Sequence, residues 1–421
     1  MSCYLLPPII HTKEFYRHIN YAFNTEQAQP QSAIINKTLQ KYLNRLKAQI
    51  DACESAWDKY KKYTNPYEFI HTTVPNSRQA ICQYKPLSRS FFKMVEMCHM
   101  LNILAELPKE KCKSFHLAEG PGGFIEALVF LRKNPNDFYY GMTLLEEHNQ
   151  NVPGWRKSKL FLAENKNVII EKGHDIRGDL MNPQNLLHCY KYYKGEMEFI
   201  TGDGGFDFSV HYLSQENVSA PLILCQVSFA IAMQKRGGTF IIKMFDTFTK
   251  LSLDILYLLA NVYETINFVK PHTSRYANSE KYIICKNFKL DETSRHETVN
   301  ILYKIMLQMQ GTNSKEHLDS LFTYDIPYYF VNKVEEYNAI FGQQQIENIG
   351  TTLNLIDNNK YDKLELIKKN NVQKCINWCQ QYKLDYNASI QPNNIFLMNR
   401  QPVPSVNVNT ISYVGAYTSI T

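Results

Sequence analysis

Three short segments hold residue types that could do chemistry. The first is Phe115-His116-Leu117-Ala118-Glu119-Gly120-Pro121-Gly122-Gly123-Phe124. It runs from an apolar stretch through a glycine-rich turn into an amphipathic stretch. Glycine lets the backbone turn tightly and approach a ligand closely, and a helix start exposes free N–H groups. The pattern is not the G-x-G-x-x-G of dinucleotide sites, and no Lys-Ser/Thr pair follows to make a phosphate loop. It suits a ligand without phosphates, such as the methionine moiety of S-adenosylmethionine, or serves only as a structural turn. The second segment, Phe199 to Asp207, ends an apolar run in Asp203 between glycines. At the carboxyl end of a central strand such a carboxylate points into a ligand crevice. An Asx-type turn would use the same residues. The third segment, Gly237 to Phe245, places Lys243 after Thr239-Phe240-Ile241-Ile242. Burying a lysine charge is costly unless it is paired. A lysine withdrawn from water releases its proton more readily, which suits a general base. The plainer reading is a lysine that snorkels at a strand edge.

The elements around these segments predict an α/β fold. Phe115–Ala118, Tyr139–Leu144, Val168–Glu171, Phe199–Thr201, Thr239–Lys243 and Tyr282–Cys285 read as strands. Phe124–Arg132, Leu222–Lys235 and Leu251–Asn261 read as helices between them. Such alternation predicts a doubly wound, mostly parallel sheet, with ligands beyond the carboxyl ends of its strands. This region spans 88–290. Residues 1–87 read as a helical N-terminal region, with Leu39, Tyr42, Leu43, Leu46, Ile50, Cys53, Trp57 and Tyr60 forming one apolar stripe on a long helix. Residues 291–421 read as a C-terminal region of mixed character. Thr293–Gln310 and Tyr361–Tyr386 look helical there, and the tail after Pro392 looks irregular.

Composition narrows the class. The chain has 421 residues, 44% of them hydrophobic, and a formal net charge of +6. That is globular and mildly basic, which excludes a histone-like tail and permits a local anionic partner. Ten scattered cysteines read as reduced thiols in a cytosolic setting. The start MSCYLLPPII has no signal-peptide pattern, and Pro221–Met233 is too short to span a bilayer. No metal-ligand set is evident, and no membrane association is expected.

In this order the three segments resemble the FtsJ-like ribose 2′-O-methyltransferases. His116-Leu117-Ala118-Glu119-Gly120-Pro121-Gly122-Gly123-Phe124-Ile125 looks most like their Adrift-type branch, the cap methyltransferases. That branch carries a His-Leu-x-Glu-x-Pro-Gly-x-Phe signature. The family works with a Lys-Asp-Lys-Glu tetrad, and the resemblance supplies the other two members. Ser88-Arg89-Ser90-Phe91-Phe92-Lys93 matches the helix-borne first lysine, Lys93. Ser279-Glu280-Lys281-Tyr282 matches the glutamate before the last strand, Glu280. Asp203 and Lys243 take the middle places.

The resemblance implies S-adenosyl-L-methionine as cofactor, held by Glu119, Gly120, Pro121, Gly122, Gly123, Phe124, Thr143, Leu144, Asp175, Ile176 and Asp203. Asp175 would accept from the adenine amino group, and Ile176 would cover a ring face. Two departures stand out. His116 occupies a place where many methyltransferases carry an acid, and no clear acid follows Thr143-Leu144 before Glu146-Glu147. The substrate the resemblance implies is RNA, the 5′ end of capped mRNA, with other capping or transcription proteins as partners. Methylation of another RNA, or a non-catalytic RNA-binding scaffold, would use the same fold. Arg78, Lys85, Arg89, Lys235, Arg236, Lys250 and Arg275 lie near the motifs in sequence and could meet phosphates. The whole chain resembles a viral version of the family, which implies a host-cytoplasmic location and packaging in the virion.

Overall fold

The computed structural model describes residues 2–9, 14–24, 32–146, 152–205, 215–311, 316–358 and 361–390. Phe206, Asp207, Glu147 and the tail after Pro392 lie outside the described residues. Ten strands are present among those described: β1 Ser2–Leu5, β2 Ala22–Asn24, β3 Lys113–Leu117, β4 Phe138–Met142, β5 Val168–Ile170, β6 Met197–Gly202, β7 Gln234–Met244, β8 Tyr263–Lys270, β9 Lys281–Phe288 and β10 His317–Ser320. The helices before β6 are α1 Lys37–Asp51, α2 Glu54–Thr64, α3 Ser90–Met100, α4 Ile103–Glu106, α5 Gly123–Arg132, α6 Lys159–Glu164 and α7 Pro183–Tyr193. Those after it are α8 Gln215–Met233, α9 Lys250–Val262, α10 Glu292–Gly311, α11 Tyr328–Asn358 and α12 Tyr361–Gln381.

Eight strands form one sheet in the order β1-β8-β9-β7-β6-β3-β4-β5. β5, β4, β3, β6 and β7 pair in parallel, while β9 runs antiparallel to both β7 and β8. The chain travels outward from β3 to β5, then returns to place β6 on the other flank of β3. That reversal is the switch point, where the carboxyl strand ends leave a crevice. It is the doubly wound α/β fold expected.

The central strands are buried on both faces, so their sequences are continuously apolar. Alternation still sorts them. Ile200, Phe240, Ile242 and Ile283 enter a core with residues of α7, α8, α9 and α10. Phe199, Ile241, Tyr282 and Ile284 enter a second core with residues of α3, α5 and α12. Lys243, two residues after Ile241, therefore projects toward the α3 side.

The flanks differ from expectation. The N-terminal stripe is divided between α1 and α2, which break at Ala52–Cys53. It buries Leu43, Trp57 and Tyr60 but leaves Tyr42 exposed. Nor is that region only helical, because β1 extends the main sheet beside β8 and β2 pairs with β10. α8 is longer than read, 19 residues, and is the one described helix long and apolar enough to cross a membrane. Most of it is buried against the sheet. α10 to α12 pack on the two faces of the main sheet, with Val299, Phe330 and Phe341 in one core and Cys375, Ile376 and Trp378 in the other.

Candidate active site

The four tetrad residues converge at the carboxyl end of β6 and β7. Asp203 follows β6, and its amide donates to the Leu117 carbonyl at the end of β3, 3.3 Å away. Lys243 is the penultimate residue of β7 and stands opposite Tyr282 of β9 in the antiparallel register. Its Nζ donates to the Asp203 carbonyl at 2.7 Å and lies 3.3 Å from Asp203 Oδ1. Lys93 sits on α3 among Phe91, Phe92, Met94 and Val95, all buried. Its Nζ meets Glu280 Oε1 at 2.6 Å. Burial draws the Lys93 ammonium below its ordinary value, and the charges of Glu280 and Asp203 work against that. Burial pushes the Glu280 carboxyl up. Lys93 and Lys243 outweigh it and hold that carboxyl well below the usual carboxylate range.

Tyr282 joins the two halves. Its hydroxyl accepts from Lys93 Nζ at 3.2 Å and donates to Asp203 Oδ1 at 2.9 Å. Burial, with Asp203 and Glu280 nearby, raises the phenol well above its ordinary value, so it keeps its proton. In sequence Tyr282 is only a strand residue; its signal is an aromatic hydroxyl two places after Glu280, at the start of β9. Two more supports escape a sequence reading. Ser274 Oγ donates to Glu280 Oε1 at 2.7 Å. Gln226, a buried polar residue in the apolar stretch of α8, accepts from the Gly204 amide at 3.0 Å. A Cβ at Gly202 or Gly204 would lie 2.7 Å from that Gln226 amide, so the turn around Asp203 requires glycine.

The glycine-rich turn lies at the end of β3, next to the switch point. Gly122 has a left-handed φ of 110°, and a Cβ at Gly120 would meet the Gly154 carbonyl at 2.8 Å and Thr143 Oγ1 at 3.1 Å. Ser158 Oγ donates to the Pro121 carbonyl. Glu119 is buried, and its Oε1 accepts from the amides of Phe124 and Ile125 at 2.8 and 3.0 Å. It therefore satisfies the free N–H groups at the start of α5. Burial lifts its carboxyl to about 8, against those amide bonds. A protonated Glu119 resembles glutamine. Its folded value lies above the ordinary 4.5, so its stability contribution is complete below that value and is lost as pH rises toward about 8. Glu119→Gln is expected to fold normally and to gain on the wild type across that window. Melting temperatures of both proteins from pH 5 to 8 check the sign.

Thr143 is buried and Leu144 half-buried just after β4. Asp175 Oδ1 accepts from the amides of Arg177 and Gly178 at 2.9 and 3.2 Å, and Oδ2 from Asn182 at 3.0 Å. Burial would raise its carboxyl, but the Asn182 and Asn185 amides and these backbone groups lower it overall. Between them Ile176 is 70% exposed with a φ of 59°. A β-branched residue in left-handed backbone is strained and persists where something requires it. The expected acids are otherwise accounted for. His116 is a core residue, with Nδ1 2.7 Å from Thr201 Oγ1 and Nε2 2.9 Å from Ser114 Oγ. Burial drops its value to about 3, so it is neutral. Glu146 pairs with Arg177 at 3.4 Å.

Several basic residues are not where their sequence neighbours suggest. Lys235 and Arg236 begin β7, at the end of the sheet away from Lys243. β7 is eleven residues long and extended, so its two ends lie far apart in space. Lys250 pairs with Asp254, and Arg275 grips Glu68 through two bonds. Arg89 Nη2 donates to the Thr273 carbonyl at 3.1 Å, beside the tetrad.

Fold and site together place four charged residues at the switch point of a doubly wound α/β sheet. Residues 86–288 match the FtsJ-like methyltransferase family. Over 296 residues the chain is 35% identical to cap-specific mRNA (nucleoside-2′-O-)-methyltransferase 1 of Bos taurus, covering 63% of this chain and 33% of that one. It is 27% identical to the Danio rerio methyltransferase 2 of the same description, covering 76% and 43%. A Caenorhabditis briggsae relative described as inactive, 1B, is 28% identical over 54% of this chain and 27% of its own. The chain thus spans less than half the length of these relatives. Among solved structures, a putative ribosomal RNA methyltransferase from Plasmodium falciparum aligns with 48% of this chain and 98% of its own, at 18% identity and a TM-score of 0.34.

Proposed function

We propose that this protein transfers a methyl group from S-adenosylmethionine to the ribose 2′-hydroxyl of a 5′-terminal nucleotide of capped mRNA. The observation that carries the reading is the complete tetrad: Lys93 on Glu280 at 2.6 Å and Lys243 on Asp203 at 3.3 Å, at the switch point. One relative carries the description "inactive", so intact catalytic geometry is what favours an enzyme over a scaffold here.

The residues at the turn fit the cofactor. Gly120, Gly122 and Gly123 let the turn pack tightly at the strand end, Asp175 offers an ionised carboxylate, and Ile176 an exposed apolar face held at a cost. The cofactor, when bound, supplies a methyl carbon on a sulfonium leaving group. A ribose hydroxyl is a weak acid, so a base must take its proton as the oxygen becomes nucleophilic. Lys243, in its neutral form, takes it. Asp203 fixes the Lys243 amine through its carbonyl and carboxylate. Tyr282 keeps Asp203 and Lys93 in register, and Glu280 holds Lys93 near the hydroxyl oxygen. Much of the acceleration comes from this positioning. The ten scattered cysteines suit a reducing compartment, and we infer a cytoplasmic location from them.

Transfer of radiolabelled methyl to capped and uncapped RNA tests the reading, with calorimetric titration of S-adenosylmethionine beside it. Capped RNA is expected to be methylated and uncapped RNA poorly. Equal transfer to both would remove the cap from the reading, and absence of cofactor binding would favour the scaffold. A second variant probes the cofactor face. Ile176→Asn relieves left-handed strain of about 1 kcal/mol and removes the apolar cover. It is expected to raise the melting temperature and to weaken cofactor binding together. Unchanged cofactor affinity would remove Ile176 from the site.

A further inference from the structure

The loop between β8 and β9 carries Glu280, and it is gripped from the far side by residues that the tetrad does not include. Glu96 lies one turn beyond Lys93 on α3 and is fully buried. Its Oε2 accepts from both the amide and the hydroxyl of Thr273, at 3.2 and 3.1 Å. Arg89, from the start of the same helix, donates to the Thr273 carbonyl at 3.1 Å. Every polar group of Thr273 is thus bound to α3 or the residue preceding it. The preceding loop residue, His272, stacks on Tyr67 with ring centroids 4.6 Å apart. The following one, Ser274, donates to Glu280 Oε1, the same oxygen that receives Lys93.

Glu96 has a second oxygen, and α12 supplies its partner. Trp378 Nε1 donates to Glu96 Oε1 at 2.5 Å. The Trp378 ring packs edge-on to Phe92 and against Tyr382. A buried carboxylate needs its lone pairs met, and a buried indole needs an acceptor. Each of the two meets the need of the other.

We propose that α12, from outside the family domain, sets the position of Glu280 through the sequence of bonds Trp378–Glu96–Thr273–Ser274. Trp378 and Glu96 are positioning residues. They touch neither substrate nor cofactor and act through the loop that presents the Glu280 carboxylate to Lys93. The inference rests on the methyl-transfer reading for its effect on rate. Its structural half, control of the loop, stands apart from that reading.

Two readouts keep the halves distinct. Trp378→Phe retains the ring packing and loses only the N–H donor. Thr273→Val retains the shape of the loop and loses one hydroxyl. Both are expected to lower kcat for methyl transfer about tenfold, since small misplacement of catalytic groups is costly, with little change in the KM for S-adenosylmethionine. Both are also expected to speed amide hydrogen exchange in 271–280 severalfold, while exchange in β6 and β7 stays at the wild-type rate. Trp378→Leu should do the same with a lower melting temperature. If exchange in 271–280 is unchanged in Trp378→Phe and Thr273→Val, the proposal is overturned. It is also overturned if exchange rises equally throughout the fold, because the role is then general packing. If wild-type protein transfers no methyl group, the functional reading fails, while the exchange contrast still decides whether α12 holds the loop.

Discussion

Lys243→Ala is expected to lower methyl transfer by about 10²–10⁴-fold, the range for loss of a positioned acid–base group, while S-adenosylmethionine still binds. The reason is geometric. Lys243 is placed by its strand and by Asp203, whereas the glycine-rich turn is shaped by Glu119, Thr143 and Gly154. The two sets share little beyond the Asp203 position. Gly205 keeps the approach open, since a Cβ there would lie 3.2 Å from Lys243 Nζ. Single-turnover transfer with radiolabelled cofactor, beside calorimetry, separates the two effects. Activity within tenfold of wild type would assign the base elsewhere. Loss of cofactor binding in the same variant would mean that the two sites are one.

The second large effect is on stability. Lys93 and Glu280 are only 7% and 12% exposed at their side chains. Glu280→Ala leaves a buried ammonium without its charge partner, which costs about 3–5 kcal/mol. Replacing both together, as Lys93→Met with Glu280→Leu, removes the unpaired charge and is expected to recover most of that loss. The double variant should therefore fold well and transfer no methyl group. Because Glu280 is held below its ordinary 4.5, its stabilising contribution is present above that value and fades as pH falls below it. The gap in stability between wild type and Glu280→Ala should narrow accordingly. Denaturant unfolding of the three proteins at neutral and acidic pH checks both the size and the sign. A double variant no more stable than Glu280→Ala would show that the pair is held by packing rather than by charge.

Much of the site is legible in the chain because its chemistry forces unusual residues into apolar surroundings. Lys243 after four strand-forming residues and Asp203 among glycines announce themselves. Lys93 and Glu280 become visible only through the family pattern. Glu119 is legible as part of the turn, but its task as the cap of α5 follows from two amide bonds that spacing does not reveal. Tyr282 escapes notice because an aromatic residue in a strand is ordinary. Glu96 and Trp378 escape because their bond joins residues 282 positions apart. The fold shows the same division. The parallel strands read clearly from their apolar runs. β8 does not, because it follows α9 with no turn residue between Val262 and Tyr263. α11, the longest of the described helices, is diluted by Asn and Gln, so its apolar stripe is faint.

The pairing of β1 with β8 sets an order of events during synthesis. Ser2 is matched to Lys270, so the edge strand leaves the ribosome long before its neighbour exists. At ordinary elongation rates of about 5–20 residues per second, the interval is on the order of tens of seconds. Throughout that interval β1 has no partner within this sheet. The sheet can then grow outward from β3, β4 and β6, whose crossovers are local, and close its far edge only when β8 and β9 arrive. A nascent chain stalled before residue 263 should accordingly leave Ser2–Leu5 open to a protease, and one released beyond β9 should not.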